Sequence, residues 1–67
     1  MANEEQIRLR ILCLNRGWDQ PFYDVITHNS MFLASVKVKG ATFLGSWAPS
    51  ADEAKEIVAR SAFNHYR

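Results

Sequence analysis

Met31-Phe32-Leu33-Ala34-Ser35-Val36-Lys37-Val38-Lys39 changes face at every residue. Phe32, Ala34, Val36 and Val38 fall on one side, and Leu33, Ser35, Lys37 and Lys39 on the other. A period of two belongs to a strand with one face buried. The stretch predicts a strand over residues 31–39. Before it, residues 22–27 read as another strand, with Tyr23 and Val25 pointing one way and Phe22, Asp24 and Ile26 the other. His28-Asn29-Ser30 makes a short turn between the two. Gly40 turns the chain again, and residues 41–47 predict a third, weaker strand. Connections this short join antiparallel neighbours, so the three strands form a meander.

Both flanks carry helical signals. Downstream, Ser50 is placed to cap a helix over residues 50–63, with Glu53 at the capping-box spacing and Pro49 just outside. Ala54, Ile57, Val58, Ser61 and Ala62 recur at helical spacing and give a narrow, small-residue face. Asp52, Glu53 and Glu56 crowd the start of this helix, where negative charge suits the macrodipole, and His65 suits its end. Upstream, Asn3 is placed to cap a helix over residues 4–16, which Gly17 ends. Its apolar sector is wide: Ile7, Ile11 and Leu14 form one stripe, and Leu9, Leu12 and Cys13 the next. Trp18, in the loop that follows, is placed to close the core. The expected fold is α+β in the order α-β-β-β-α: a three-stranded antiparallel sheet with two helices packed on one face. One domain is expected over 1–67.

Composition narrows the function. A chain of 67 residues with 48% hydrophobic and 22% charged residues reads as globular. Its core is marginal, since such a domain buries only about 60% of its unfolded surface. The net charge of +1 is low for a dedicated nucleic-acid binder. The single cysteine, Cys13, excludes an internal disulfide and reads as a small core residue. No apolar run approaches the ~20 residues of a membrane span. The acidic start, Met1-Ala2-Asn3-Glu4-Glu5, is unlike a signal peptide, so an intracellular setting (cytoplasm or nucleus) is expected. Cys13, His28 and His65 lack metal-ligand spacing, and no nucleophile–base set or glycine-rich phosphate loop stands out. Neither an enzyme nor a cofactor is expected.

The order of elements and four local motifs resemble the double-stranded RNA-binding domain, from about Ile7 to Tyr66. Leu12-Cys13-Leu14-Asn15-Arg16-Gly17-Trp18 is similar to the family's close of helix one. Pro21-Phe22-Tyr23-Asp24-Val25 follows its Pro-x-Tyr-x-Val pattern, and Phe32-Leu33-Ala34-Ser35-Val36-Lys37-Val38 looks like its second strand. Residues 50–63 line up with its second helix, including Ala54, Lys55, Ala59 and Ala62.

The resemblance implies three RNA-contacting regions, reading A-form shape over about 16 base pairs. They are a polar face of helix one, a Gly-Pro-x-His loop between strands one and two, and a Lys-Lys-x-Ala-Lys cluster opening helix two. This chain departs from all three. The cluster reads Ala51-Asp52-Glu53-Ala54-Lys55, so only Lys55 survives. The loop is reduced to Thr27-His28-Asn29-Ser30, and the family's groove-contacting glutamate falls near Ile11. Each phosphate left without its cation lowers affinity steeply.

Two readings lead, with a bare structural spacer in a larger protein as a third. In the first, the chain is a degenerate double-stranded RNA-binding-fold module serving protein–protein contact or dimerisation within an RNA-processing protein. Phe22, Ile26, Leu33, Phe43 and Trp47 would then form an apolar patch on the outer sheet face. A one-residue slip of strand three would instead send Phe43 and Trp47 into the core. In the second, the chain binds duplex RNA directly but weakly through Arg8, Arg10, His28, Lys55 and Arg60. The simpler account of Arg8, Arg10, Lys55 and Arg60 is a solvated helix face, with Glu4 and Arg8 paired at i, i+4, and of His28 a solvated turn residue. Neither a membrane nor a small-molecule substrate is an expected partner.

Overall fold

The architecture is taken from a computed structural model that describes residues 3–67. Met1 and Ala2, part of the acidic start and of the 1–67 span, lie outside the described residues. The elements are α1 (Glu4–Asn15), β1 (Phe22–His28), β2 (Met31–Val38), β3 (Ala41–Leu44) and α2 (Ala51–Tyr66). The sheet is antiparallel in the order β1-β2-β3. This is the expected α-β-β-β-α arrangement.

Both hairpins close through two residues. Asn29 and Ser30 have φ of 51° and 62°, and Lys39 and Gly40 have φ of 53° and 81°. Positive φ at both central positions is the mirror-image turn whose twist matches that of the flanking strands. The turns put His28 opposite Met31 and Val38 opposite Ala41, which sets the register of the whole sheet.

Ala34, Val36 and Val38 of β2 are fully covered by Ala54, Val58, Ala59 and Ala62 of α2, with Leu9 and Cys13 of α1 and Ala48 completing the buried core. Burying each of the larger aliphatic side chains stabilises the fold by about 1.5–3 kcal/mol. The alanines let α2 lie close to the sheet. Gly45 takes this furthest: a Cβ there would stand 3.1 Å from the Val58 Cβ and 3.3 Å from the Ala34 carbonyl oxygen. Ala59, not Ser61, completes the buried face of α2, and Ser61 is exposed. Trp18 packs at the core's edge, edge-on to Tyr66 at 5.0 Å, while the Tyr66 hydroxyl donates to the Val38 carbonyl at 3.0 Å.

The two helix starts differ from each other. Ser50 caps α2 as expected, its Oγ accepting from the Glu53 N–H at 3.1 Å. The Asn3 side chain makes no capping bond to α1. That helix is capped from across the molecule by the Glu56 carboxylate, which accepts from the Glu5 and Gln6 N–H groups at 2.8 and 3.1 Å and from Gln6 Nε2 at 3.0 Å. Glu56 therefore serves the first turn of α1, although the sequence had placed its charge with α2.

The third strand is also corrected. It ends at Leu44, short of residue 47. Gly45 N–H still donates to the Ala34 carbonyl, and Phe32 and Ala48 then exchange two bonds at 2.8 Å. Three steps along the third strand's side span two along β2, the signature of a bulge.

Candidate interfaces

Cross-strand pairing sorts the sheet into its two faces. Tyr23↔Val36, Val25↔Ala34, Thr27↔Phe32 and Val36↔Phe43 fall on the core side. Phe43 is thus removed from the outer patch: it packs on the core and sits edge-on to His65 and Tyr66. Leu44 takes its place outside, opposite Ser35. Trp47 stays outside with Phe43 inside, because the bulge adds a residue between them.

The outer face consists of rungs. His28 pairs with Met31, Ile26 with Leu33, Asp24 with Ser35, and Phe22 with Lys37. Ile26, Leu44 and Trp47 are 54%, 68% and 45% exposed, and Met31 is exposed beside them. Leu33 is half-buried among them. The Trp47 ring lies 6.3 Å from the His28 ring. Phe22 is 70% exposed, but the Asp24 rung separates it from Ile26. The apolar patch therefore centres on Ile26, Leu33, Leu44 and Trp47, with Phe22 at the far end beside Lys37.

The five basic side chains suggested for RNA are dispersed. Arg8 pairs with Glu5 at 3.7 Å rather than with Glu4, and its guanidinium lies 5.3 Å from the Phe63 ring centre. Arg10 is exposed elsewhere on α1, beside Gln20 and Pro21. His28 ends β1 instead of lying in a loop, and it faces the outer side of the sheet. Lys55 and Arg60 belong to α2, on the opposite side of the sheet from His28. Lys55 is half-buried, with Asp52 and Glu53 exposed at the same helix start. The β1–β2 connection is the two-residue turn at Asn29–Ser30, with no loop to extend. On α1, Ile7, Ile11 and Leu14 are all exposed and form an apolar stripe flanked by the exposed Arg8 and Arg10.

Among the described residues, two titratable groups are clearly perturbed. Burial raises the Cys13 thiol, with Arg16 opposing. Burial also pushes the Tyr23 hydroxyl up to about 12, helped by the nearby Glu56 carboxylate. That hydroxyl is buried without a hydrogen-bond partner. The core reading of Cys13 implies its burial, whereas no local signal in the sequence predicts the unpaired Tyr23 hydroxyl, which arises where α2 closes over β1. Among the described residues, no helix is long and apolar enough to cross a membrane.

No family model and no curated protein matches the chain. Solved structures do match it. The double-stranded RNA-binding domain of tRNA-dihydrouridine(20) synthase is 21% identical over 82% of this chain and 62% of that one, with a TM-score of 0.79. A point variant of the human synthase's domain is 20% identical over 85% and 62%, with a TM-score of 0.80. The paired double-stranded RNA-binding domains of DRB4 with their linker are 21% identical over 92% and 43%, with a TM-score of 0.76. The chain thus spans about three-fifths of the synthase structures and under half of the DRB4 pair. It has the double-stranded RNA-binding-domain fold.

Proposed function

We propose that this chain is an RNA-binding-fold module that works mainly through protein contact within an RNA-processing protein. The observation that carries the reading is the outer sheet face. Ile26, Leu44 and Trp47 are exposed around Leu33 on one face of the sheet. The regions that grip duplex RNA in the fold's RNA-binding members are altered here in the direction that weakens the grip. The β1–β2 turn is minimal, the start of α2 carries Asp52 and Glu53, and Ile7, Ile11 and Leu14 are exposed along α1. A duplex binder needs several phosphate contacts at once. Here Lys55 is the single lysine left at the cluster position.

A second copy of the chain is the partner that the protein alone can supply, and a shared sheet face suits a two-fold contact. Sedimentation across a concentration series tests this. The expected result is self-association that Leu44→Asp abolishes while the fold is retained. A strictly monomeric chain that binds a ~20-base-pair RNA duplex, with affinity lowered by Lys55→Ala, overturns the reading.

A further inference from the structure

We infer that the cleft between the α1–β1 loop and the β2–β3 turn binds single-stranded nucleic acid, with Phe22 as the stacking surface and Lys37 and Lys39 as the phosphate contacts. The inference is independent of the sheet-face reading. It begins with the distribution of charge. Glu4, Glu5, Asp52, Glu53 and Glu56 gather where both helices begin, and the Glu56 bonds to Glu5 and Gln6 bring those two starts together. Arg16, Lys37 and Lys39 gather at the opposite end, where α1 and β2 finish. The Arg16 guanidinium and the Lys39 ammonium lie 5.3 and 5.6 Å from the same Trp18 ring, which fixes both cations at this end. The one ion pair among the described residues is Arg8 with Glu5, so none of these three cations is held in a salt bridge. The positive end of the molecule is therefore the end away from the start of α2.

The same end contains a cleft of about 450 Å³, lined by Trp18, Asp19, Gln20, Phe22, Lys37 and Lys39 with two glycines. That volume lies within the range of small-molecule sites. Phe22 is the most exposed large apolar residue of the described chain, and its cross-strand partner is Lys37. An exposed ring beside a cationic groove is the arrangement that binds single strands, with bases stacking on the ring while the groove follows the phosphates. A duplex keeps its bases stacked internally and cannot offer one to Phe22. Asp19 in the lining and Asp24 on the next rung oppose an anion, against the three cations Lys37, Lys39 and Arg16.

The test is a titration of the Trp47→Phe protein, in which Trp18 is the remaining tryptophan, with a single-stranded RNA of about ten nucleotides. Saturable change in Trp18 fluorescence is expected, with an affinity that falls as salt rises. Lys37→Glu with Lys39→Glu is expected to weaken binding at least tenfold and flatten the salt slope. Phe22→Ala is expected to weaken it about tenfold and leave that slope unchanged. Lys55→Glu and Leu44→Asp are expected to leave binding unchanged, which separates this site from the duplex surface and from the sheet patch. Urea midpoints of each variant establish that the fold is kept. Absence of saturable binding overturns the inference, as does full binding by the double lysine variant. So does displacement of the RNA by an acidic peptide of equal charge, or by a duplex, as readily as by unlabelled single strand.

Discussion

Glu56 carries more of the fold than its neighbours in sequence indicate. Its carboxylate takes two of the N–H groups left open at the start of α1, and its partners are 50 and 51 residues away. Glu56→Ala is expected to destabilise the domain by about 1–2 kcal/mol, measured by urea unfolding, since removing the cap leaves open donors at a partly buried helix start. Glu56→Gln, which keeps an acceptor oxygen, is expected to lose less. Tyr23 is the second informative residue. Its hydroxyl is buried and unpaired, so Tyr23→Phe is expected to leave stability near pH 7 unchanged or slightly higher. The pH response has a definite sign. The folded-state value of about 12 exceeds the ordinary 10, so the folded chain resists losing that proton. The stability involved is present below pH 10 and lost as pH rises toward 12. Between pH 9 and pH 11, the urea midpoint of Tyr23→Phe is expected to fall less than that of the parent chain.

Among the elements, legibility followed how local each determinant is. The β2 alternation and the Ser50 cap depend on adjacent residues, and both were readable. The outward placement of Phe22, Ile26 and Leu33 followed from uninterrupted alternation through the first hairpin. The placement of Phe43 did not, because Phe43 and Leu44 are adjacent apolar residues and either can face the core. The turn decides between them. Two residues, Lys39 and Gly40, put Val38 opposite Ala41, and Phe43 then falls opposite the buried Val36. Ending the second strand at Val38 instead of Lys39 would have given the observed register. The bulge that keeps Trp47 outside was not readable, since it forms where Gly45 passes under α2. Gly45→Ala is expected to cost about 1–3 kcal/mol by thermal or urea unfolding, because its Cβ would crowd Val58 and the Ala34 carbonyl, where packing leaves little room to shift.

Across the domain, the α-β-β-β-α scaffold is retained while its charges are rearranged. The carboxylates Asp52 and Glu53 occupy the start of α2, where the fold's RNA-binding members place lysines, and the unpaired cations Lys37 and Lys39 lie at the opposite end. The outer sheet face carries exposed apolar residues, as does α1. Leu44→Asp is expected to change stability by no more than about 0.5 kcal/mol, as for other surface substitutions. In the proposed reading, the fold is kept without its usual grip on duplex RNA. Titration of a ~20-base-pair RNA duplex at physiological salt, in parallel with Lys55→Ala, puts this to the test. The predicted result is no saturation in the micromolar range and no difference between the two proteins. Micromolar binding with a steep salt dependence that Lys55→Ala reduces would contradict it.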